Sequence, residues 1–281
     1  VQHIAGAQVV IVKDGQILLA KGYGYADYEK KVPVDGEKTL FKPGSVTKLF
    51  TWTAVMQLVE QGKIDLNADV NTYLTDFQIP ATYQGGGGKS VPITMLDLMS
   101  HTAGFEEISW KAGTMDVEDV EHATPLGDLV AGFMPRRVFP PGQVPSYSNY
   151  GASLAGYIVE QVSGEPYDQY IERHILQPLG MDRSTLYQEL PDELAADLSL
   201  SYQYNQYNGE YQPLPVEWMY IRPAGGLMAP GVDMGKFMLA HLQDGEYNGV
   251  RILQPETAQL MQTQSYAFDP QLSGSAHGFI E

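Results

Sequence analysis

The sequence contains no cysteine, which excludes disulfide bonds and thiolate metal sites but is compatible with either side of a membrane. Basic residues are scarce as well: 17 Lys and Arg stand against 34 Asp and Glu, so the formal net charge is -17. Such acidity argues against binding to nucleic acid or to anionic membrane surfaces, because their phosphates repel it. No apolar run reaches the roughly 20 residues that a membrane-spanning helix needs. What is left is a globular protein whose 281 residues suffice for one large domain or two closely packed ones.

The two ends of the chain are unusual for a complete protein. It begins with Val1 rather than Met and enters a strand-like run almost at once, and it ends at Glu281 in another strand-like run. Both ends therefore look cut from a longer protein, and an export signal could stand upstream of Val1.

The segment from Ser45 to Gln61 predicts one helix that is apolar on nearly all of its faces, which is typical of a buried helix. Lys48 is the only charged residue between Ser45 and Val59. A buried, unpaired ammonium is costly, and the usual escape is a lowered pKa, which makes the amine a base. Ser45 lies one turn earlier on the same face, and a serine nucleophile needs such an adjacent base. The alternative is a capping serine followed by a lysine that extends to the surface.

A second candidate motif is Tyr147-Ser148-Asn149, which follows a Pro-Gly loop and immediately precedes a predicted helix. A tyrosine oxygen close to Ser45 and Lys48 could carry protons to and from a leaving group, and the asparagine amide could orient the amine or a substrate carbonyl. The alternative is a turn in which Asn149 caps the following helix.

Local patterns also predict the surrounding elements. Asp14-Gly15 between two β-branched runs predicts a hairpin, and Asn208-Gly209 predicts a second one. Helices are predicted over 94–100, 151–162, 167–175 and 233–242, and from Pro255 onward. Strands come first, then helices, then strands and helices again, which fits an α+β protein with a helical insertion. The six histidines have no metal-ligand spacing, so we predict no metal site.

Five motifs follow one another along the chain. They are Phe41-Lys42-Pro43-Gly44-Ser45-Val46-Thr47-Lys48, Ser100-His101-Thr102-Ala103-Gly104, Pro141-Gly142 with Tyr147-Ser148-Asn149, Pro178-Leu179-Gly180-Met181 and Ala224-Gly225-Gly226-Leu227. Together they resemble the serine β-lactamase and penicillin-binding protein superfamily, in its class C-like branch. The resemblance covers essentially the whole chain.

The resemblance implies a fold and a division of the chain. We expect an antiparallel sheet flanked by helices, plus a mostly helical domain, with the active site between them. The sheet domain would consist of residues 1–70 and 200–281, and the helical domain of residues 71–199.

The resemblance also implies roles for four side chains. Ser45 would be the nucleophile, Lys48 its proton partner, Tyr147 the general base and acid, and Asn149 a polar positioning group. The backbone N–H of Ser45 would form half of the oxyanion hole, and no cofactor is expected. The glutamate loop of the class A branch has no match in the sequence, which favours tyrosine-assisted deacylation.

The chain departs from the superfamily at its third motif, a Lys-Thr-Gly or His-x-Gly sequence on an edge strand that supplies the second oxyanion N–H. The candidate near the end is His277-Gly278, but the run from Ala276 to Glu281 is more typical of the strand before that motif. We therefore expect the motif and the second donor to lie beyond Glu281, and the last strands of the sheet with them. Loss of one such donor typically costs about a hundredfold or more in rate.

The function implied by the resemblance is that of a serine hydrolase that acts through an acyl-serine on a β-lactam or a D-amino-acid peptide. A carboxylesterase of the same fold is the first alternative, because one constellation serves all three substrates. A penicillin-binding sensor or binding module that is acylated without turnover is the second, and a scaffold with a decayed site is the third. The expected partner is a small molecule or peptide, at an extracytoplasmic location: secreted, periplasmic or on the outer face of the cell membrane.

Overall fold

The computed structural model describes residues 3–107, 114–115, 124–269, 271 and 273–279. The strands are β1 Gly6–Lys13, β2 Gln16–Asp27, β3 Val32–Pro33, β4 Thr114–Met115, β5 Tyr202–Asn205, β6 Glu210–Pro213, β7 Trp218–Met219, β8 Glu246–Tyr247, β9 Val250–Arg251, β10 Gln264–Tyr266 and β11 Ser275–Ala276. The helices are α1 Lys48–Glu60, α2 Met95–Met99, α3 Leu126–Gly132, α4 Asn149–Ser163, α5 Tyr167–Ile171, α6 Asp192–Ala195, α7 Arg222–Gly225, α8 Gly231–Leu242 and α9 Pro255–Met261.

The amino-terminal sheet is built on the predicted hairpin. β1 and β2 pair antiparallel across the two-residue turn Asp14-Gly15. Both turn residues have positive φ, 50° and 78°, as the tight turn that matches the twist of the strands requires. β3 pairs with the end of β2, so the order within the described residues is β1-β2-β3, and α8 packs against β1 and β2.

α1 is the central helix of the core. A 3₁₀ turn, Gly44–Thr47, precedes it, so the single helix predicted from Ser45 is divided at Lys48. The helix ends before Gly62, whose φ of 67° makes it the predicted left-handed terminator. Its apolar side chains join one buried cluster with those of α4 and α8. The cluster contains residues of the expected sheet domain, in α1 and α8, and of the expected helical domain, in α4. It therefore marks no boundary between the two, and the boundaries at residues 70 and 200 stay a prediction.

The other predicted helices form with shifted ends. α4 begins two residues before the predicted start and ends at Gly164, whose φ is 75°. The helix predicted over 167–175 is α5 followed by a π-helical turn, Glu172–Leu176. The hairpin around Asn208-Gly209 is β5 and β6, and Pro255 opens α9. Among the helices of the described ranges, none combines the length and the apolar character needed to cross a bilayer.

The strand predicted from Ala276 to Glu281 is wrong in its described part. β11 contains only Ser275–Ala276 and pairs with β10. The chain then turns, because the Gly278 N–H donates to the Ala276 carbonyl at 2.8 Å and the Ala276 N–H donates to the Phe279 carbonyl at 2.8 Å. Gly278 has a φ of 102°, which an extended strand does not allow. Residues 280 and 281 lie outside the described part.

The packing of α4 on α7 depends on Gly156. A Cβ at this position would lie 2.4 Å from Cγ of Pro223, which is far too close. The absence of a side chain therefore sets how closely the two helices approach each other.

Gly156→Ala is expected to lower the free energy of unfolding by about 1–3 kcal/mol, because overpacking outweighs the gain in helix propensity of up to about 1 kcal/mol. Gly132→Ala, at the end of α3, is the matched control, since nothing lies within 4 Å of its added Cβ. Chemical denaturation of both variants measures the difference. Equal stabilities would contradict the close approach of α4 and α7.

Candidate active site

The four predicted side chains meet where α1 and α4 begin. Ser45 lies in the 3₁₀ turn before α1, Lys48 is the first residue of α1, and Asn149 is the first residue of α4. Ser45 Oγ lies 3.1 Å from Lys48 Nζ and 2.7 Å from the Tyr147 hydroxyl. Lys48 Nζ lies 2.8 Å from Asn149 Oδ1. The structure thus brings together residues that are about 100 positions apart in the sequence.

Lys48 is 4% exposed, and the contacts described for its Nζ account for all three of its protons. As an ammonium it donates to Ser45 Oγ, to Asn149 Oδ1 and to the Ala224 carbonyl at 2.7 Å. A neutral amine has two protons, which the amide and the carbonyl can accept, and one lone pair. Because Asn149 and Ala224 cannot donate at these contacts, the lone pair is left facing the serine.

Two opposing effects set the protonation of Lys48. Burial lowers the pKa of this ammonium to about 8, while the negative charge of Glu107 raises it. Roughly a tenth of a group with this pKa is neutral at pH 7. The amine is therefore available as a base in a pH range where an exposed lysine is not.

His101 packs against the Tyr147 ring and binds the backbone on both sides of Tyr147. The two rings are 4.5 Å apart, and the backbone N–H groups of Ser146 and Ser148 donate to the carbonyl and Nδ1 of His101 at 2.7 and 3.2 Å. Lys48 Nζ lies 4.8 Å from the centre of the Tyr147 ring. Burial, assisted by the charge of Glu107, raises the pKa of Tyr147, so its phenol keeps its proton at neutral pH.

Asn149 does not cap α4, so the alternative interpretation of its motif is wrong. Ser148 is the cap, and its Oγ accepts the N–H of Gly151 at 3.0 Å. The amide of Asn149 is therefore free to bridge Lys48 and Glu107, whose Oε1 lies 2.9 Å from Nδ2. Glu107 was not predicted from the sequence. The sequence does show an acidic pair, Glu106 and Glu107, shortly after the motif that ends at Gly104. It does not indicate which of the two side chains faces the site.

The Ala224 carbonyl is fixed by contacts around α7. Thr51 Oγ1 of α1 donates to the neighbouring Pro223 carbonyl at 2.8 Å and lies 2.6 Å from the Tyr167 hydroxyl. Arg222 Nε lies 2.7 Å from a carboxylate oxygen of Asp168. These contacts, buried at Thr51 and Tyr167 and partly buried at Arg222 and Asp168, hold the acceptor in place. The sequence had used the motif around Ala224 only as part of the resemblance.

Ser45 borders two of the cavities found in the described part of the chain. The larger has a volume of about 580 Å³, and its lining includes Lys42, Ser45, Asn149, Leu214, Glu217, Met219 and Ile221. The smaller, of about 300 Å³, is lined by residues that include Ser45, Lys48, Trp52, His101, Tyr147, Gly278 and Phe279. The serine hydroxyl is therefore accessible from both cavities. The smaller cavity also exposes Lys48 and Tyr147, and the larger one also exposes Asn149.

The structure separates the two residues of the candidate third motif. Gly278 lies on the smaller cavity beside Trp52, which a Cβ would strike at 2.4 Å. The His277 imidazole is 7% exposed, and its Nδ1 lies 3.2 Å from the Thr263 carbonyl. The role of His277-Gly278 and the position of a second oxyanion donor stay predictions.

A serine lies beside a buried amine and a tyrosine near the starts of α1 and α4, and α8 packs against the antiparallel pair β1 and β2. This combination is typical of a serine-hydrolase-type fold. The sequence model of the family described as Beta-lactamase matches residues 1–279. The chain belongs to this family and has the β-lactamase/transpeptidase-like fold.

Similar proteins match 66% to 99% of this chain. The protein Flp of Staphylococcus aureus (strain MW2) is 32% identical over 191 residues, which are 66% of this chain but 36% of Flp. The octameric penicillin-binding protein homologue from Pyrococcus abyssi is 28% identical, with a TM-score of 0.79 over 99% of this chain and 61% of that one. EstCE1, described as a hydrolase with promiscuous acyltransferase activity, is 25% identical, with a TM-score of 0.77 over 99% of this chain and 78% of its own.

His101 is expected to stay neutral far below the usual titration range of histidine. Burial, with the nearby charge of Lys48, lowers its pKa to about 4, and acceptance of the Ser148 N–H at Nδ1 selects the tautomer with its proton on Nε2. Side-chain ¹⁵N NMR measures both properties. The urea-unfolded chain, whose histidines titrate near pH 6.5, is the control. Titration of folded His101 near pH 6.5 would contradict its burial behind Tyr147.

Proposed function

We propose that the protein is a hydrolase that forms an acyl-enzyme on Ser45. The observation that carries this proposal is that Ser45 Oγ lies within hydrogen-bond distance of both a buried amine and a phenol. The family and the hydrolase among the similar structures support it. The larger cavity supplies space for the acyl donor next to the hydroxyl.

Acylation follows from the protonation states of the three groups. The neutral amine of Lys48 takes the proton of Ser45 as Oγ bonds to the carbonyl carbon of the substrate, and the carbonyl electron pair moves onto oxygen. The backbone N–H of Ser45 donates to that oxyanion. When the tetrahedral intermediate collapses, Tyr147 gives its proton to the leaving group, which leaves a phenolate beside the new ammonium.

Deacylation returns each proton. The Tyr147 phenolate takes a proton from a water molecule as the water oxygen bonds to the acyl carbon. The ester bond to Ser45 then breaks, and Oγ takes the proton held by the Lys48 ammonium. One water is consumed and the carboxylic acid is released, with the enzyme in its starting state. A peptide or ester releases its leaving group separately, whereas a lactam keeps its amine attached to the released acid.

The acyl donor is proposed to be a β-lactam or a D-amino-acid peptide, because the five motifs resemble enzymes of that chemistry and a similar structure is a penicillin-binding protein homologue. An extracytoplasmic location belongs to the same proposal. The similarity to EstCE1 favours an ester as the second candidate. Turnover of a chromogenic cephalosporin, a D-alanyl-D-alanine peptide and a nitrophenyl ester, measured side by side, separates the candidates, and an acylated form that persists for hours indicates a binding module.

Ser45→Ala is expected to abolish covalent labelling by a fluorophosphonate and by a fluorescent penicillin, because it removes the attacking oxygen. Intact-protein mass spectrometry and gel fluorescence measure the label. Ser90→Ala, at an exposed serine, is the matched control and should label like the parent. Labelling of Ser45→Ala at the parental rate would show that another residue is the nucleophile.

The pH dependence of acylation is expected to follow the deprotonation of Lys48. The base is active when neutral, and its pKa of about 8 means that kcat/KM rises about tenfold per pH unit below pH 8 and levels off above it. The raised pKa of Tyr147 keeps the phenol protonated across this range. Initial rates on a nitrophenyl ester, corrected for spontaneous hydrolysis, give the profile. A rate that is flat from pH 6 to pH 9 would exclude the amine as the base.

A further inference from the structure

Glu107 contacts Asn149 through both of its carboxylate oxygens. Oε1 accepts from the side-chain Nδ2 at 2.9 Å, and Oε2 accepts from the backbone N–H at 3.2 Å. Asn149 is the first residue of α4, so this N–H is one of the donors that a helix leaves without an internal partner. A single carboxylate thus holds the backbone and the amide of Asn149 together.

This contact determines which end of the Asn149 amide faces Lys48. An ionised carboxylate only accepts hydrogen bonds, so Glu107 selects the Nδ2 end, and Oδ1 then lies 2.8 Å from Lys48 Nζ. A reversed amide would set Oδ1 against the carboxylate and direct an N–H at the amine. That N–H would occupy the lone pair that faces Ser45.

We propose that Glu107 is a positioning residue that keeps the lone pair of Lys48 free for Ser45 by holding the Asn149 amide in one orientation. The inference rests on the proposed function of Ser45 and Lys48. It assigns to Glu107 a role through Asn149 rather than a contact with substrate.

The charge of Glu107 has a second effect, opposite in sign. The carboxylate stabilises the ammonium of Lys48 and so raises its pKa against the effect of burial. Among the described residues around the amine, His101 is neutral at working pH and the phenol of Tyr147 is protonated. From α7, Arg222 is paired with Asp168. Removal of the charge of Glu107 should therefore lower the pKa of Lys48.

Two substitutions of Glu107 distinguish its effect on the orientation of the Asn149 amide from the effect of its charge on Lys48. Glu107→Gln removes the charge but keeps one oxygen that can accept from Asn149, whereas Glu107→Ala removes both. We expect Glu107→Ala to lower kcat about tenfold to a hundredfold, since small misplacements of reacting groups have effects of this size, and Glu107→Gln to lower it less. Both variants should move the acid limb of the kcat/KM profile to lower pH. Glu106→Gln is the matched control, with the same change in charge one residue away, and should leave both quantities unchanged.

A titration of Lys48 gives a reading that does not depend on turnover. The ¹³C NMR signal of its Cε, assigned by comparison with Lys48→Met, should titrate at lower pH in Glu107→Gln than in the parent and in Glu106→Gln. A merely structural role would lower the melting temperature without moving this titration or the pH profile. If Glu107→Ala does not fold, Glu107→Gln carries the test.

The outcomes distinguish the two proposals. If the parent protein shows no turnover that requires Ser45, the proposed function is wrong, and the proposed role of Glu107 is wrong with it. A parent with such turnover, whose kcat, pH profile and Lys48 titration are all unaffected by the Glu107 substitutions, would overturn the inference about Glu107 alone.

Discussion

The site depends on one amine held between two fixed acceptors. Lys48 belongs to α1, whereas Asn149 and Ala224 belong to α4 and α7, 101 and 176 positions away in the sequence. The direction of the lone pair toward Ser45 therefore exists only when the three helices pack correctly. The candidate chemistry therefore depends on the packing of the apolar core. Contacts far from the serine, such as that of Gly156 with Pro223, contribute to the position of the Ala224 carbonyl.

Burial of Lys48 has a cost that the rest of the core must offset. A fall in its pKa from 10.5 to about 8 corresponds to about 3 kcal/mol of lost stability at neutral pH, since the folded state holds the proton less tightly than the unfolded chain. This loss of folding stability becomes smaller only as the pH rises from about 8, the folded-state pKa, toward 10.5, the pKa in the unfolded chain. The burial of one or two large apolar side chains is worth as much, and α1 alone buries Phe50, Trp52 and Leu58. The protein can hold a destabilised base because the base lies in a helix with many buried apolar side chains.

The sequence predicted the parts of the site that depend on local spacing. Ser45 and Lys48 lie one turn apart, and a lone charge in an apolar run implies burial, so their proximity followed from periodicity alone. The hairpin at Asp14-Gly15 and the end of α1 at Gly62 followed from backbone preferences. Glu107, by contrast, became recognisable only in three dimensions, because its partner Asn149 is 42 positions away. The error at the end of the chain has a similar cause, since the turn at Gly278 lies against Trp52, and periodicity does not reveal this tertiary neighbour.

Under the proposed function, the groups that react with the acyl donor differ from most of the groups that would select it. Ser45, Lys48 and Tyr147 would treat a lactam, a peptide and an ester alike, since each presents a carbonyl carbon and a leaving group. Under the proposed function, discrimination would come from the walls of the two cavities that Ser45 borders. Part of the larger cavity's wall is formed by Leu214, Met219 and Ile221. Apolar walls separate acyl groups only weakly, by about 1–3 kcal/mol per methylene, whereas polar groups that hydrogen-bond the substrate separate them strongly. Lys42 and Glu217 also lie on the larger cavity, so under the proposed function charged groups on the acyl donor would meet charged side chains there.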